Sequence, residues 1–236
     1  MPATSSSGAD RRGLPVVAVT GMAFEARIAR GPGVEVVFAA RADLLERALA
    51  AALSRGASGV ISFGTAGGLA PDLAPGTLIV AEAVEGPFGR ADTDAQWSQR
   101  LAAALETSPL AGRVRRGVEA AVVAPLTGAA DKQALFRSTG ALAVDMESHL
   151  AAAAAAARGL PFAVCRAIVD PAWRSLPAAA TAGLRDDGST SVWPILRELV
   201  RDPAQLGALL RLAADARAAR AALVEARRVL AQAGVL

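Results

Sequence analysis

Four short segments of this 236-residue chain carry side chains that could do chemistry. In Arg166-Ala167-Ile168-Val169-Asp170-Pro171 an acid closes a strand-like apolar run. Placed at the end of a sheet, such a carboxyl can hold a proton for transfer, because burial raises its pKa. A turn-forming Asp-Pro explains the same residues. In Asp145-Met146-Glu147-Ser148-His149 two acids stand at a strand-to-helix junction. Helix capping and the helix dipole account for them when they are taken alone. Gly64-Thr65-Ala66-Gly67-Gly68 reads as a small-residue turn after a buried strand. Its amides and the Thr65 hydroxyl could meet an anion or sugar hydroxyls. Glu25 stands four residues after Gly21 and, in isolation, reads as a solvated helix acid.

The rest of the inventory narrows the chemistry. The chain has one cysteine, Cys165, and one histidine, His149. No intrachain disulfide can form, and the usual His/Cys zinc sets cannot be assembled. Cys165, inside PFAVCRAIVD, reads as a small buried hydrophobe, and His149 as structural. The Gly64–Gly68 run lacks the Gly-Lys-Ser/Thr ending of a nucleotide P-loop. Carboxylates, hydroxyls, backbone amides and arginine must therefore do the work, with neither metal nor cofactor expected.

Arginine supplies nearly all the positive charge; Lys132 is the only lysine, and the formal net charge is +3. No arginine cluster is interleaved with aromatics, so nucleic-acid binding is not expected. Hydrophobic residues make up 53% of the chain, enough for one sizeable core. No apolar run has the length of a membrane span. Residues 1–13 read as a disordered lead without the apolar centre of a signal peptide, and a cytoplasmic location is the expectation.

These residues need a frame. Short β-branched runs at Leu14–Thr20, Val34–Ala40, Ala57–Phe63, Thr77–Val84, Gly117–Pro125, Ala141–Asp145 and Pro161–Val169 predict strands. Helical spacing is read at Asp43–Ser54, Asp92–Thr107, Asp131–Ser138, Glu147–Arg158, Ser191–Arg201 and Pro203–Ala233. Thr181–Ser189 is expected to be a loop. Alternation of this kind predicts a single α/β domain over residues 14–236, with a central mixed twisted sheet covered by helices on both faces. The C-terminal region, about 190–233, is helical. Ligands of such sheets bind beyond the carboxyl ends of the strands, where the four segments fall.

The order of the four segments resembles the purine nucleoside phosphorylase and adenosyl-nucleosidase superfamily, from about Val16 to Pro171. The resemblance is carried by Gly21-Met22-Ala23-Phe24-Glu25, Ser62-Phe63-Gly64-Thr65-Ala66-Gly67-Gly68, Val144-Asp145-Met146-Glu147-Ser148 and Asp170. It implies cleavage of the bond between a purine and ribose. By that resemblance Asp170 protonates the departing base, Glu147 binds ribose hydroxyls, and Met146 packs on the sugar. Thr65 contacts the ribose or the attacking group, Glu25 orients a water, and Gly21, Gly64 and Thr65 form a site for phosphate or water. A homo-oligomer is also implied.

Departures separate two outcomes. Ser62 stands where phosphorylases of this fold carry an arginine, which disfavours phosphate as co-substrate; Glu25 favours water. The segment between Thr127 and Asp131 offers Ala129 and Ala130 in place of a base-stacking phenylalanine, so either another aromatic such as Phe88 or Trp173 takes that role or the base site is rearranged. Gly-Thr-Ala-Gly-Gly-Leu, Val-Asp-Met-Glu-Ser and Ile-Val-Asp are similar to the hopanoid-associated phosphorylases. That branch implies adenosylhopane as substrate and peripheral contact with a membrane. A phosphate-independent nucleosidase acting on a soluble adenosyl thioether, and a non-catalytic nucleoside- or lipid-binding protein, are the alternatives.

Overall fold

The computed structural model describes residues 13–177, 180 and 192–236; the expected lead, up to residue 12, and the expected loop at 181–189 lie outside them. The chain runs β1 (Val16–Thr20), α1 (Ala23–Ala29), β2 (Val34–Phe38), α2 (Ala42–Ser54), β3 (Gly59–Gly68) and β4 (Leu78–Gly86). It continues through β5 (Gly89–Asp92), α3 (Ala95–Glu106), β6 (Val114–Ala121), α4 (Ala129–Thr139), β7 (Ala143–Asp145), α5 (Ser148–Ala156) and β8 (Phe162–Asp170). Helices α6 (Val192–Arg201) and α7 (Leu206–Gln232) follow.

All eight strands join one mixed sheet in the order β2-β1-β3-β7-β6-β4-β5, with β8 bonded to both β3 and β4. β3 is long enough to serve three partners. Its body runs parallel to β1 and β8, and its last residues pair antiparallel with β7 through Gly67↔Val144 and Gly68↔Ala143. Since β7 pairs with β6, β6 with β4 and β4 with β8, five strands close into a ring.

Glycine-rich residues 64–68 are therefore strand, not the turn expected from composition. Partners on both edges hold them extended, and the missing side chains leave room for what crosses them. A Cβ on Gly64 would lie 2.8 Å from Arg166 Nη1 and from the Glu25 carboxyl carbon. A short hairpin, β4–β5, also precedes α3 where the helix pattern was expected to begin. β6 lies at Val114–Ala121, upstream of the expected run.

Helices cover both faces. One core cluster joins Phe63, Cys165 and Ala167 to Leu101 and Leu105 of α3 and Leu223 and Leu230 of α7. The other joins Val60, Phe162 and Val164 to Leu45 and Leu49 of α2 and Ala151 of α5. Alternation along β8 sends Phe162, Val164, Arg166 and Ile168 to one side, and an irregularity in the register with β3 breaks the pattern before Asp170. Phe162 and Val164 lie in the α2–α5 cluster, and Ile168 in a small separate one with Ala66, Ile79 and Ala143. Arg166 falls between the two, which places a guanidinium inside the protein.

Candidate active site

Glu25 opens the site. It sits in the first turn of α1 and is 1% exposed, so it is no solvated helix acid. Its Oε2 accepts from the amides of Gly21 at 3.1 Å and Met22 at 3.0 Å. Its Oε1 accepts from the Thr65 amide at 2.8 Å and the Thr65 hydroxyl at 2.6 Å. Gly21 and Thr65, expected as part of a cradle for an outside anion, thus spend their amides on Glu25. A carboxylate has about four acceptor positions, and four donors fill them. Because the Thr65 hydroxyl gives its proton to Glu25, its own lone pairs are left for a ligand.

Arg166 is the centre of charge, and sequence reasoning missed it. It is fully buried on β8. Its Nη2 donates to Ser62 Oγ at 2.6 Å and to Glu147 Oε2 at 3.0 Å, and lies 2.5 Å from Asp145 Oδ2; Nη1 donates to the Thr65 carbonyl at 3.2 Å. Burial opposes its charge, but the neighbouring carboxylates, Asp145 first and then Glu147, overcome that and hold it protonated. Ser62, read as the loss of an arginine, is an acceptor for an arginine arriving from another strand. An arginine interrupting an apolar strand was the available signal.

The two acids after β7 divide their tasks. Asp145 accepts from the Ser148 amide at 3.2 Å and caps α5, as the capping account expected. Glu147 makes no cap bond. It lines a cavity of about 220 Å³ together with Glu25, Thr65, Met146 and Asp170. Burial pushes the Glu147 carboxyl up to about 7, with Arg166 opposing the rise. Gly21 leaves it space: a Cβ there would stand 2.3 Å from Glu147 Oε1.

Asp170 ends β8, lines the same cavity and is 5% exposed. Its Oδ2 pairs with the ammonium of Lys132, a fully buried residue of α4 that sequence reasoning had used only to describe composition. Burial raises the Asp170 pKa, and the Lys132 charge works against the rise. One acid of the region was not foreseen: Glu119 of β6 is fully buried, with neither carboxyl oxygen hydrogen-bonded among the described residues. Burial and then Asp145 drive its pKa well upward.

Other expected residues fall elsewhere. Phe88 is 65% exposed and packs its ring on His149, and Trp173 is 56% exposed; neither lines the cavity. The apolar wall comes instead from Val122, Leu126, Val144, Met146, Val169 and Leu176. Cys165 is buried, and burial pushes its thiol up to about 12, so it is inert at neutral pH. Among the described residues no group of three or more His, Cys, Asp and Glu is placed to hold a metal ion. No helix among them is long and apolar enough to cross a membrane.

Acids ringed around one arginine at the strand ends of a closed mixed sheet define a small-molecule site in an α/β protein. The family model of the phosphorylase superfamily matches residues 12–189, and the chain belongs to that superfamily. A futalosine hydrolase of Streptomyces coelicolor is 34% identical over 139 residues, 49% of this chain and 57% of that enzyme. The chain thus spans little more than half the length of this relative. Among solved structures, the 5′-methylthioadenosine/S-adenosyl homocysteine nucleosidase of Helicobacter pylori superposes with a TM-score of 0.64 at 15% identity, covering 94% of this chain and 97% of that one. The futalosine hydrolase of Helicobacter pylori does so with a TM-score of 0.61 at 18% identity, covering 79% and 98%. These likenesses establish the fold.

Proposed function

We propose that this protein hydrolyses the N-glycosidic bond of a purine nucleoside, releasing adenine, with water as the attacking group. One observation carries the choice of water. The amides that could cradle phosphate are filled by the Glu25 carboxylate, and Arg166, the cation beside them among the described residues, is already shared among acids. A phosphate dianion entering there would meet net negative charge at short range in a low dielectric. A neutral water meets no such barrier.

The division of labour follows from position. As the bond to C1′ breaks, electron density moves onto the base and positive charge onto the ribose. Asp170, buried at one end, supplies the proton for the base. Glu147 accepts hydrogen bonds from the ribose hydroxyls, with Arg166 holding its other oxygen. A water held by Thr65 Oγ1 attacks C1′, and its proton passes through that hydroxyl to Glu25. Met146 and the apolar wall cover the sugar and base.

The 5′ substituent we assign as apolar, adenosylhopane being the substrate the resemblance implies. Two features support it: the apolar lining at Val122, Leu126 and Leu176, and α6, which exposes Trp193, Leu196 and Val200 beside Arg197 and suits contact with a bilayer surface. The cavity of about 220 Å³ is on the scale of the nucleoside portion, so the lipid would extend outward from it.

The test is release of free adenine from adenosylhopane and from 5′-methylthioadenosine, in phosphate-free buffer and with added phosphate. Equal rates in both buffers are expected. Turnover that requires phosphate overturns hydrolysis, and the absence of turnover on any purine nucleoside leaves a binding protein.

A further inference from the structure

Lys132 stands where a helix does not favour a cation. It is the fourth residue of α4, near the positive end of the helix dipole. It is also fully buried, which is costly for an ammonium unless every N–H is matched. The matching is complete, and it is built around Asp170. Beside Asp170 Oδ2, the ammonium lies 3.0 Å from the Arg174 carbonyl and 3.4 Å from the carbonyls of Asp170 and Pro171. Its acceptors therefore come from the acid and from the turn that follows it. Lys132 does not line the cavity; it stands behind Asp170.

The choice of side chain is informative. Every other basic side chain of the Lys/Arg kind in this sequence is arginine. Arginine cannot release a proton in a protein, whereas a buried lysine can. A site that needed only a fixed positive charge could have drawn on the residue used everywhere else.

We infer that Lys132 is the positioning residue of Asp170 and the store of the proton that Asp170 hands to the departing base, an inference that rests on the glycosidic-cleavage reading above. The Lys132–Asp170 pair shares one transferable proton along its Nζ–Oδ2 contact. During cleavage the C1′–N bond breaks and its electron pair goes to the base. The proton leaves Nζ, passes to the Asp170 carboxylate and from it to the base nitrogen. Lys132 ends as a neutral amine and Asp170 as the carboxylate it began as. Water contributes hydroxide to C1′ and a proton to Glu25; after the base departs Glu25 releases that proton to the cavity, and Lys132 is reprotonated by way of the Asp170 carboxylate, which lines it. The sum is nucleoside plus water giving free base plus sugar.

The experiment compares leaving groups that need a proton with ones that do not. A nucleoside methylated at N7 already carries the positive charge, and 4-nitrophenyl riboside leaves as a stable anion. Wild type, Lys132→Met and Lys132→Gln are assayed on the ordinary purine nucleoside and on both probes, with circular dichroism to confirm folding; Gln retains donors for the carbonyls. The expected result is a loss of about 10²-fold or more on the ordinary nucleoside, the usual scale of acid catalysis, with the probes changed by less than about threefold. Equal losses on all three substrates would show a purely structural role, and unchanged rates would show none; either overturns the inference. If wild type cleaves no purine nucleoside, the functional reading fails instead.

Discussion

Arg166 Nη2 and Glu147 Oε2 lie 3.0 Å apart inside the protein, and the same nitrogen serves Asp145 and Ser62. This one side chain offsets several buried acids. Arg166→Met keeps much of the volume and removes the charge, leaving Asp145 and Glu147 without their partner. Breaking a buried ion pair from one side costs about 3–5 kcal/mol. Urea unfolding should register a loss of that order at pH 7, and a midpoint within error of wild type would contradict it.

Glu147 gives a prediction in pH. Burial first, against the pull of Arg166, sets its carboxyl at about 7. Ionised, it is a strong acceptor for ribose hydroxyls; protonated, it loses most of that capacity. The acid limb of kcat/KM should therefore rise through about pH 7, and Glu147→Gln should lower the plateau and abolish the limb. Stability runs the other way. A carboxyl whose folded pKa exceeds its unfolded one binds more protons when folded, so its contribution falls as pH rises between about 4.5 and 7. A flat kcat/KM profile across pH 5.5–8.5 would remove Glu147 from this role.

Glycine 21 supplies the third. A Cβ there would approach Glu147 Oε1 to 2.3 Å, and Glu147 has no easy retreat while Arg166 holds Oε2. Misplacement of about 1 Å at a reacting site can lower kcat/KM on the order of 10²-fold, and that is the loss expected for Gly21→Ala. Gly33→Ala is the control. Gly33 has φ +74° with open space around it, so alanine there is strained by roughly 1–2 kcal/mol without touching the site. The first variant should lose activity and the second only stability; the reverse pattern would sink the argument.

The four segments were visible in the sequence because each lies where an apolar run stops, and the fold places such stops on one rim. Asp170, Glu147, Thr65 and Glu25 come together for that reason. Arg166, Lys132 and Glu119 were not visible as a set. Arg166 interrupts an apolar strand without any local partner; its acceptors come from β3 and from the β7–α5 junction. Lys132 reaches across 38 residues of sequence to Asp170, a pairing no spacing encodes. Residues 64–68 were misread because glycines punctuate most chains; here they make space for Arg166 and Glu25 within a strand whose partners lie far away in sequence.

Glu119 provides the last test. Its carboxyl is sealed from solvent, unpartnered among the described residues, and faces the charges of Asp145, Arg166 and Glu147. An isolated buried carboxylate is too costly to keep, so the folded protein retains the proton well above the usual carboxylate range. The unfolded chain loses that proton near the ordinary value. Above that value the folded state binds one more proton than the unfolded state, and stability declines by about 1.4 kcal/mol for each pH unit until the folded group ionises. Glu119→Gln mimics the protonated acid and cannot titrate. The variant should match wild type near pH 4 and become progressively more stable than wild type toward pH 8, as read from urea midpoints at several pH values. Identical pH dependence of the two proteins would mean that Glu119 ionises normally in the fold, and that a partner neutralises it.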